Sequence, residues 1–379
     1  MKWLTSSALG LLAVLTVSES QASNTPTDWK TECVGRFLIG LPGEVDVALP
    51  RASYLYDGTV TNGYVNYVFI IGEPKHGGYL PDGTFYGAVS GDSKAWGSKQ
   101  LVHGELVTGP TITPDGFSQF KADVGRFYEE KKQAYLKSHE DDYAKNIYPR
   151  PTDIPDAFAW SGPIYLMRGG RLFSYDYPGL WENPQSQERL RFVATSLRTR
   201  NLYEIPNEAG LCLHYAFLPE APTYPDSRVI GVTYRLKDHP DVEIFFMDQT
   251  AQKKSPQSKH EMTAAEEVQF FWEDDYNPHE KQKRILNPHI PGVVQFPTVK
   301  LGGYEGKASF IETTHKDGSI DYGYMAYVKG DPDAKEDTPT LMLYVIRTAA
   351  RAKGAPVSKD ELKKLADQIA ASIRRRPVH

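Results

Sequence analysis

The sequence predicts an α+β protein of two tandem sister domains, each an antiparallel sheet packed with helices in the order βββ-α-βββ-α. Three observations lead there. The run Ala194-Thr195-Ser196-Leu197-Arg198-Thr199-Arg200 returns as Ala370-Ala371-Ser372-Ile373-Arg374-Arg375-Arg376. A Cys-led apolar run closing on proline, Cys33 to Pro42, returns at nearly the same offset as Cys212 to Pro219. Between these marks lie alternating apolar runs joined by short turns, the pattern of antiparallel rather than doubly wound parallel sheets. The repeat divides the chain into a leader (1–22), an N-terminal domain (23–201), a linker (202–207) and a C-terminal domain (208–379).

The leader has the layout of an export signal: Lys2, an apolar core from Leu9 to Val17, and the small-residue cleavage pattern Ser20-Gln21-Ala22. That core is too short for an ordinary membrane span. No Cys follows Ala22, which argues against a lipid anchor, and a soluble exported chain starting at Ser23 is expected.

The first domain opens with a strand at Cys33–Leu41 and a turn at Pro42-Gly43. Val45 to Leu49 alternates as a half-buried strand. Ser53–Tyr56 and Val65–Ile71 are further strand-like runs, punctuated by Asp57-Gly58 and Asn62-Gly63. From Gly72 to Pro114, Gly, Pro and aromatic residues dominate, so long loops or an irregular insertion are expected. Asp115 to Lys137 predicts a long helix, with Phe117, Phe120, Val124, Phe127, Tyr128 and Tyr135 on one face. Strands at Pro163–Met167 and Arg171–Tyr177 flank a Gly169-Gly170 turn, and a closing helix covers Gln185 to Arg200.

The second domain repeats the plan. Strands are expected at Leu211–Leu218, Arg228–Leu236 and Val242–Met247. Thr263 with Glu266 forms a capping box that opens a helix carrying Val268, Phe271 and Trp272. Lys253–Lys259 reads as a mobile surface loop. Strands at Lys307–Thr313, Tyr322–Val328 and Thr340–Arg347 follow, and Ser358 with Glu361 caps the closing helix. Leu362, Leu365, Ile369 and Ile373 give that helix one apolar face, and burying them contributes roughly 1.5–3 kcal/mol each. Arg374 to Arg376 are placed at its solvated C-terminal end.

Composition bounds the function. The 379 residues carry a net charge of −5, with 40% hydrophobic and 24% charged residues, as in an ordinary globular protein. No wide basic patch exists, which excludes nucleic acid as a partner. No later segment is long and apolar enough to predict stable membrane insertion. The mature length exceeds what one hydrophobic core usually serves, in keeping with two domains. Two cysteines in an exported chain pose the question of a disulfide. A bridge requires the domains to pack first strand to first strand, whereas free cysteine is among the most buried residue types. The reading leans to two buried thiols and leaves the bridge open.

The motifs of catalysis are missing. G-x-S-x-G, H-E-x-x-H, the P-loop and G-x-G-x-x-G do not occur. Gly91-Asp92-Ser93 has no strand feeding it. Asp331-Pro332-Asp333 with Glu336 and Asp337 lacks the glycine of a calcium loop. Glu273-Asp274-Asp275 near His279, and His139 to Asp142, read as exposed helix ends. No cofactor, metal or enzymatic activity is expected. Aromatic residues are plentiful instead: 23 Tyr, 16 Phe and 6 Trp. Those on turn-flanked segments suit a protein-recognition surface, being large, rigid and amphipathic. The candidate contacts are Tyr54, Tyr56, Tyr64, Tyr79, Phe85, Tyr86, Tyr148 and Tyr276, with Asp274 and Asp275 beside the last.

The leader, the Cys33–Pro42 opening with Gly35-Arg36, the Cys212–Pro219 opening and the terminal Ser372-Ile373-Arg374-Arg375-Arg376-Pro377 resemble the periplasmic immunity proteins of type VI secretion lipase effectors. Within them, the chain is similar to the two-domain group paired with the fourth class of those phospholipases. The resemblance implies a periplasmic protein without an active site whose partner is a cognate phospholipase toxin. The mode of binding expected here is a clamp, each domain gripping one side of the toxin and blocking its catalytic mouth or lid movement. The rival reading is a periplasmic carbohydrate- or lipid-binding protein that uses the loop aromatics. A hydrolase with an unfamiliar site is a third.

Overall fold

A computed structural model describes residues 26, 28–49, the short elements named below between 52 and 102, 105–176, 183–221, 228–251, 262–273, 280–285, 289–290, 293–294 and 296–378. Among them, no helix is both long and apolar enough to cross a membrane. The chain is α+β, with antiparallel strand pairing throughout.

One sheet of 14 strands forms the frame. From one edge it runs Pro149–Arg150, Ala157–Trp160, Ile164–Arg168, Arg171–Asp176, Glu105–Thr111 and Gln100–Val102, all from the first half. It then continues into the second half through Arg228–Leu236, Val242–Gln249, Thr340–Arg347, Ile320–Val328, Tyr304–His315 and Glu280–Ile285. Val45–Val47 pairs with Arg228–Leu236, and Thr298–Leu301 with Tyr304–His315. The connection at 202–207 lies between the halves, and sheet and core both pass across it.

Side-chain alternation sorts the two faces. Ile164, Leu166, Phe173, Ile244, Phe246, Leu343 and Val345 point into one core that spans both halves. On the opposite face the halves keep separate cores. Tyr165 and Leu172 meet the helix Pro114–Lys137, while Phe245, Met247 and Met325 surround Val268 of the helix Ala264–Glu273.

The shared face is covered by the two closing helices and by two hairpins that stand outside the large sheet. The expected single strands Cys33–Leu41 and Leu211–Leu218 are each a hairpin instead. Lys30–Val34 turns into Phe37–Leu41, and Gly210–Leu213 into Ala216–Pro219. Gly35 makes the first turn at φ 57°, and any Cβ there would run into the Asp248 carboxylate. In the second hairpin the left-handed residue is the second of the turn, Tyr215, at φ 51°.

The closing helices span Pro184–Ser196 and Lys359–Ser372, shorter than the periodicity suggests. The capping box between Ser358 and Glu361 and that between Thr263 and Glu266 are both present. After each closing helix the chain extends. Arg198–Thr199 pairs with Ala216–Pro219, and Arg374–Arg375 with Phe37–Leu41. Each half therefore ends by adding a third strand to the other half's opening hairpin. The arginines are correspondingly not a solvated helix end. Arg376 is 5% exposed and donates to the carbonyls of Pro206, Glu208 and Gly210.

The cysteines also depart from expectation. Cys33 and Cys212 form a disulfide with their Cα atoms 5.7 Å apart. The first strands do pack side by side: Gly35 N donates to Cys212 O at 2.8 Å and Cys212 N to Gly35 O at 2.9 Å. That juxtaposition brings the thiols within bonding reach.

Two further expectations change. Ser53–Tyr56 is not a strand; the helical turn Tyr54–Asp57 occupies it. Within the supposed loop region, Gln100–Val102 and Glu105–Thr111 are strands of the main sheet. Gly109 and Pro110 lie at a bulge, where Thr108 pairs with Phe173 and Thr111 with Arg171. A bulge tolerates a proline that a regular ladder would reject. The Gly169-Gly170 turn is as predicted, with φ of 50° and 71° joining Arg168 to Arg171.

Candidate interaction site

Recognition groups gather on the first half, on the face with its own core. Thr113 caps the long helix by accepting from Gly116 N at 3.1 Å, with Pro114 in its first turn. The helix spans 24 residues, about 36 Å at 1.5 Å per residue. Its buried residues are Phe120, Val124 and Tyr128; from Glu129 onward none is buried. Among the apolar residues of the last nine, Tyr135 alone packs on that core, and only partly, so this segment forms an arm along its margin.

The root of the arm is an aromatic layer. Tyr56 packs against Phe120 at 5.6 Å and Phe127 at 5.3 Å, and Tyr128 stacks on Trp160 at 5.9 Å. Its end is a Schellman turn, in which His139 N donates to Leu136 O and Glu140 N to Tyr135 O. His139 occupies the left-handed position there, at φ 57°. The chain reverses into the short helix Asp141–Ala144, and Tyr143 stacks on Tyr135 with ring centroids 5.5 Å apart. Leu136, Tyr143 and Tyr148 are 41%, 64% and 38% exposed, three of the six large exposed hydrophobic residues among the described residues. Arg150 lies 4.4 Å over the Tyr148 ring. A half-apolar tip carrying tyrosines and stiffened by stacking suits protein recognition.

The predicted contact residues divide accordingly. Tyr148 is exposed beside the edge strand Pro149–Arg150, its carbonyl accepting from Ser161 N, and Tyr56 is packed at the root of the arm. Tyr54 lies in the helical turn Tyr54–Asp57. Tyr64 lies in the strand pair Val60–Thr61 with Tyr64–Val65, and Tyr79, Phe85 and Tyr86 in the pair Gly78–Tyr79 with Phe85–Tyr86. The side chains of these five are outside the described residues. Asp274, Asp275 and Tyr276, the Gly91-Asp92-Ser93 run, the Lys253–Lys259 loop and the leader are outside them altogether. Sequence reasoning missed Leu136 and Tyr143. Leu136 lies off the apolar face of the long helix, and Tyr143 lies in the short helix Asp141–Ala144 that no pattern in the sequence marked.

A second concentration of charge sits where the halves join. Asp337 accepts from Arg228 at 2.9 Å, Arg375 at 3.0 Å and Arg36 at 3.1 Å. Burial alone would raise its carboxyl, but these guanidinium groups overcome it and hold it below the usual carboxylate range. Arg228 Nε also donates to Asp248 at 2.8 Å, and Arg36 reaches Glu220 at 2.9 Å. Three cations thus face three anions, so the cluster is a junction and not an anion site. Nearby, burial pushes His214 down to about 3, with Arg200 and Arg171 adding to the effect. Among the described residues, no group of three or more His, Cys, Asp or Glu could hold a metal ion.

The geometry is thus that of a twofold-repeated scaffold presenting one aromatic arm. Residues 204–378 match the family model described as the Tle cognate immunity protein 4 C-terminal domain. The match covers the C-terminal part of the chain, from the connection to the last closing strand. The chain also shares its fold with solved immunity proteins of type VI secretion. For TplEi from Pseudomonas aeruginosa, both bound to an "L" peptide and in its apo form, identity is 17% and the TM-score 0.52. For the crystal structure of the Tle4–Tli4 complex, identity is 19% at the same TM-score. In each case 93% of this chain and 99% of the other are covered. No curated protein sequence matches the chain. The carbohydrate- or lipid-binding reading gains nothing from these likenesses.

Proposed function

We propose that this chain is an immunity protein that binds a cognate type VI secretion phospholipase effector and holds it inactive, itself without enzymatic activity. The observation that carries the proposal is the match of its C-terminal part to an immunity-protein family, set in a chain whose whole length follows the architecture of such proteins. The leader at 1–22 supports export to the periplasm, where an effector that attacks phospholipid would be met.

The two halves act as sister domains fused along one sheet and gripping the effector as a clamp. The arm ending in Leu136 and Tyr143, with Tyr148 beside the edge strand, is one gripping element, and the strand pairs that carry Tyr64, Tyr79, Phe85 and Tyr86 lie in the same half. Protection needs tight binding: a nanomolar complex corresponds to about −12 kcal/mol. An interface of roughly 1,600 Å² or more suits that affinity.

The test mixes the purified mature chain with candidate partner lipases. Co-elution with one of them and loss of its lipid hydrolysis at equimolar inhibitor are expected. Unchanged hydrolysis at excess inhibitor across the effectors encoded beside the chain's gene rejects the proposal.

A further inference from the structure

The two opening hairpins belong to neither half alone and meet outside the large sheet. Each is a three-stranded sheet completed by the other half's closing strand. Where they touch, Cys33, Leu38, Cys212 and Phe217 form a small buried cluster apart from the main core into which Val34, Ile39, Leu211 and Leu213 are packed. Two reciprocal backbone bonds between Gly35 and Cys212 complete the seam. Beside it lies a buried ion pair, with Arg200 3% and Glu32 0% exposed. Arg200 reaches both hairpins, donating to Cys33 O at 3.0 Å and Leu213 O at 3.1 Å. Glu32 and Cys33 O lie on the first hairpin and Leu213 O and Ala216 O on the second, so this one side chain bridges the seam. A buried charge pair that loses such partners gains by becoming hydrated. Across the seam the joint is therefore held by one covalent bond, two backbone bonds and this buried bridge.

We propose that the Cys33–Cys212 bond is a redox latch on this joint, and that the chain becomes a competent inhibitor only once the bond has formed. In the reduced chain both thiols are present and the joint opens. A protein disulfide donor of an oxidising compartment closes it. One cysteine thiolate attacks the donor's disulfide, forming a mixed disulfide and releasing one donor thiolate. The second cysteine thiolate then attacks the mixed disulfide, forming the Cys33–Cys212 bond and releasing the other donor sulfur. Two electrons pass to the donor, which leaves as a dithiol after taking up the two protons. A copy of the chain in a reducing compartment would accordingly not engage an effector. That last step rests on the immunity reading; the latch itself does not.

Two measurements on the full mature chain separate these claims. Hydrogen exchange compares the oxidised chain, the chain refolded under reductant and the double variant Cys33→Ser/Cys212→Ser. The amides of Gly35 and of residue 212, which donate to each other's carbonyl groups across the seam, are expected to lose on the order of 100-fold in protection in both forms that lack the bond, while Ile244 and Leu343 in the large sheet stay within about threefold. Unchanged protection at positions 35 and 212, or loss throughout the large sheet, overturns the latch. Inhibition of the partner lipase is then titrated, and the double variant is expected to need on the order of 100-fold more protein. Equal inhibition by both forms overturns the gating. If the oxidised wild type inhibits no lipase, the immunity reading falls and the exchange data alone decide the latch.

Discussion

Replacing Arg200 by methionine tests how much of the interlock rests on one buried cation. The side chain donates from Nε to Ala216 O at 3.2 Å and from Nη1 to Asn201 O at 3.1 Å and Glu204 O at 3.2 Å. Nη2 serves Cys33 O, Leu213 O and the Glu32 carboxylate, whose other oxygen accepts from Tyr203 N. Arg200→Met leaves Glu32 charged and fully buried with one backbone donor. Breaking a buried pair in this way costs about 3–5 kcal/mol. The orphaned carbonyls of Cys33 and Leu213 place the expected loss at the upper end of that range, about 5 kcal/mol. Against a total stability of about 5–15 kcal/mol, this is a large fraction. The assay is equilibrium urea unfolding of the oxidised chain at pH 7. With a slope of about 3 kcal/mol per molar, the midpoint should fall by more than about 1 M. The double variant Glu32→Met/Arg200→Met removes the stranded charge and should recover at least about 2 kcal/mol of the loss. A single change costing under about 1 kcal/mol, or a double variant no better than the sum of the singles, refutes the reasoning.

Four further outcomes are expected. His214 is held neutral, with its ordinary value near 6.5 lowered to about 3 in the fold. Its contribution is full above about pH 6.5 and is lost as pH falls toward 3, because only the unfolded chain takes up the proton there. His214→Phe should therefore flatten the fall in melting temperature between pH 6.5 and 4.5, and an unchanged slope would assign it to other groups. Gly35→Ala forces an L-residue into φ 57° against the Asp248 carboxylate, and should cost more than about 2 kcal/mol in the same urea assay. Thr113→Ala removes the cap of the arm helix and should cost about 1 kcal/mol, read by thermal melting. Leu136→Asp with Tyr143→Asp should leave stability within about 0.5 kcal/mol while weakening effector inhibition at least about 10-fold; unaltered inhibition would remove the arm from the interface.

What the sequence made legible follows a physical rule. Long strands rich in β-branched and aromatic residues, such as Arg228–Leu236 and Thr340–Arg347, were readable from residue type even though both their faces are covered. Phe37–Leu41 is buried at every position, so it shows no alternation that could reveal where its hairpin turns. His214-Tyr215 turns without any glycine, against the usual signals of such turns. Gly109-Pro110 looked like a loop, because a bulge is visible only once the partner strand is known. Arg376 looked solvated, because its acceptors lie 166 to 170 residues away in the chain. The disulfide was hidden for the same reason: it depends on how two hairpins pack, which neither sequence segment encodes alone. At the site, the aromatic excess pointed to recognition, but Leu136 lies off the apolar face of its helix and no pattern marked the short helix that carries Tyr143.

The exchange of closing strands bears on how the proposed clamp would grip a partner. A clamp needs a stiff hinge and jaws that move little when loaded. Along one face the halves share a continuous core, two interlocked hairpins, a disulfide and a buried ion pair, so sliding between them would break contacts in both at once. On the other face each half has its own core and its own helix, with no shared apolar layer to fill. The arm runs along the margin of the first half's core on that divided face. Stiffness and grip are thus assigned to opposite sides of one sheet. Substitutions at Arg200, Gly35 or the cysteines should then alter how the jaws are held, and those at Leu136 or Tyr143 only what they hold.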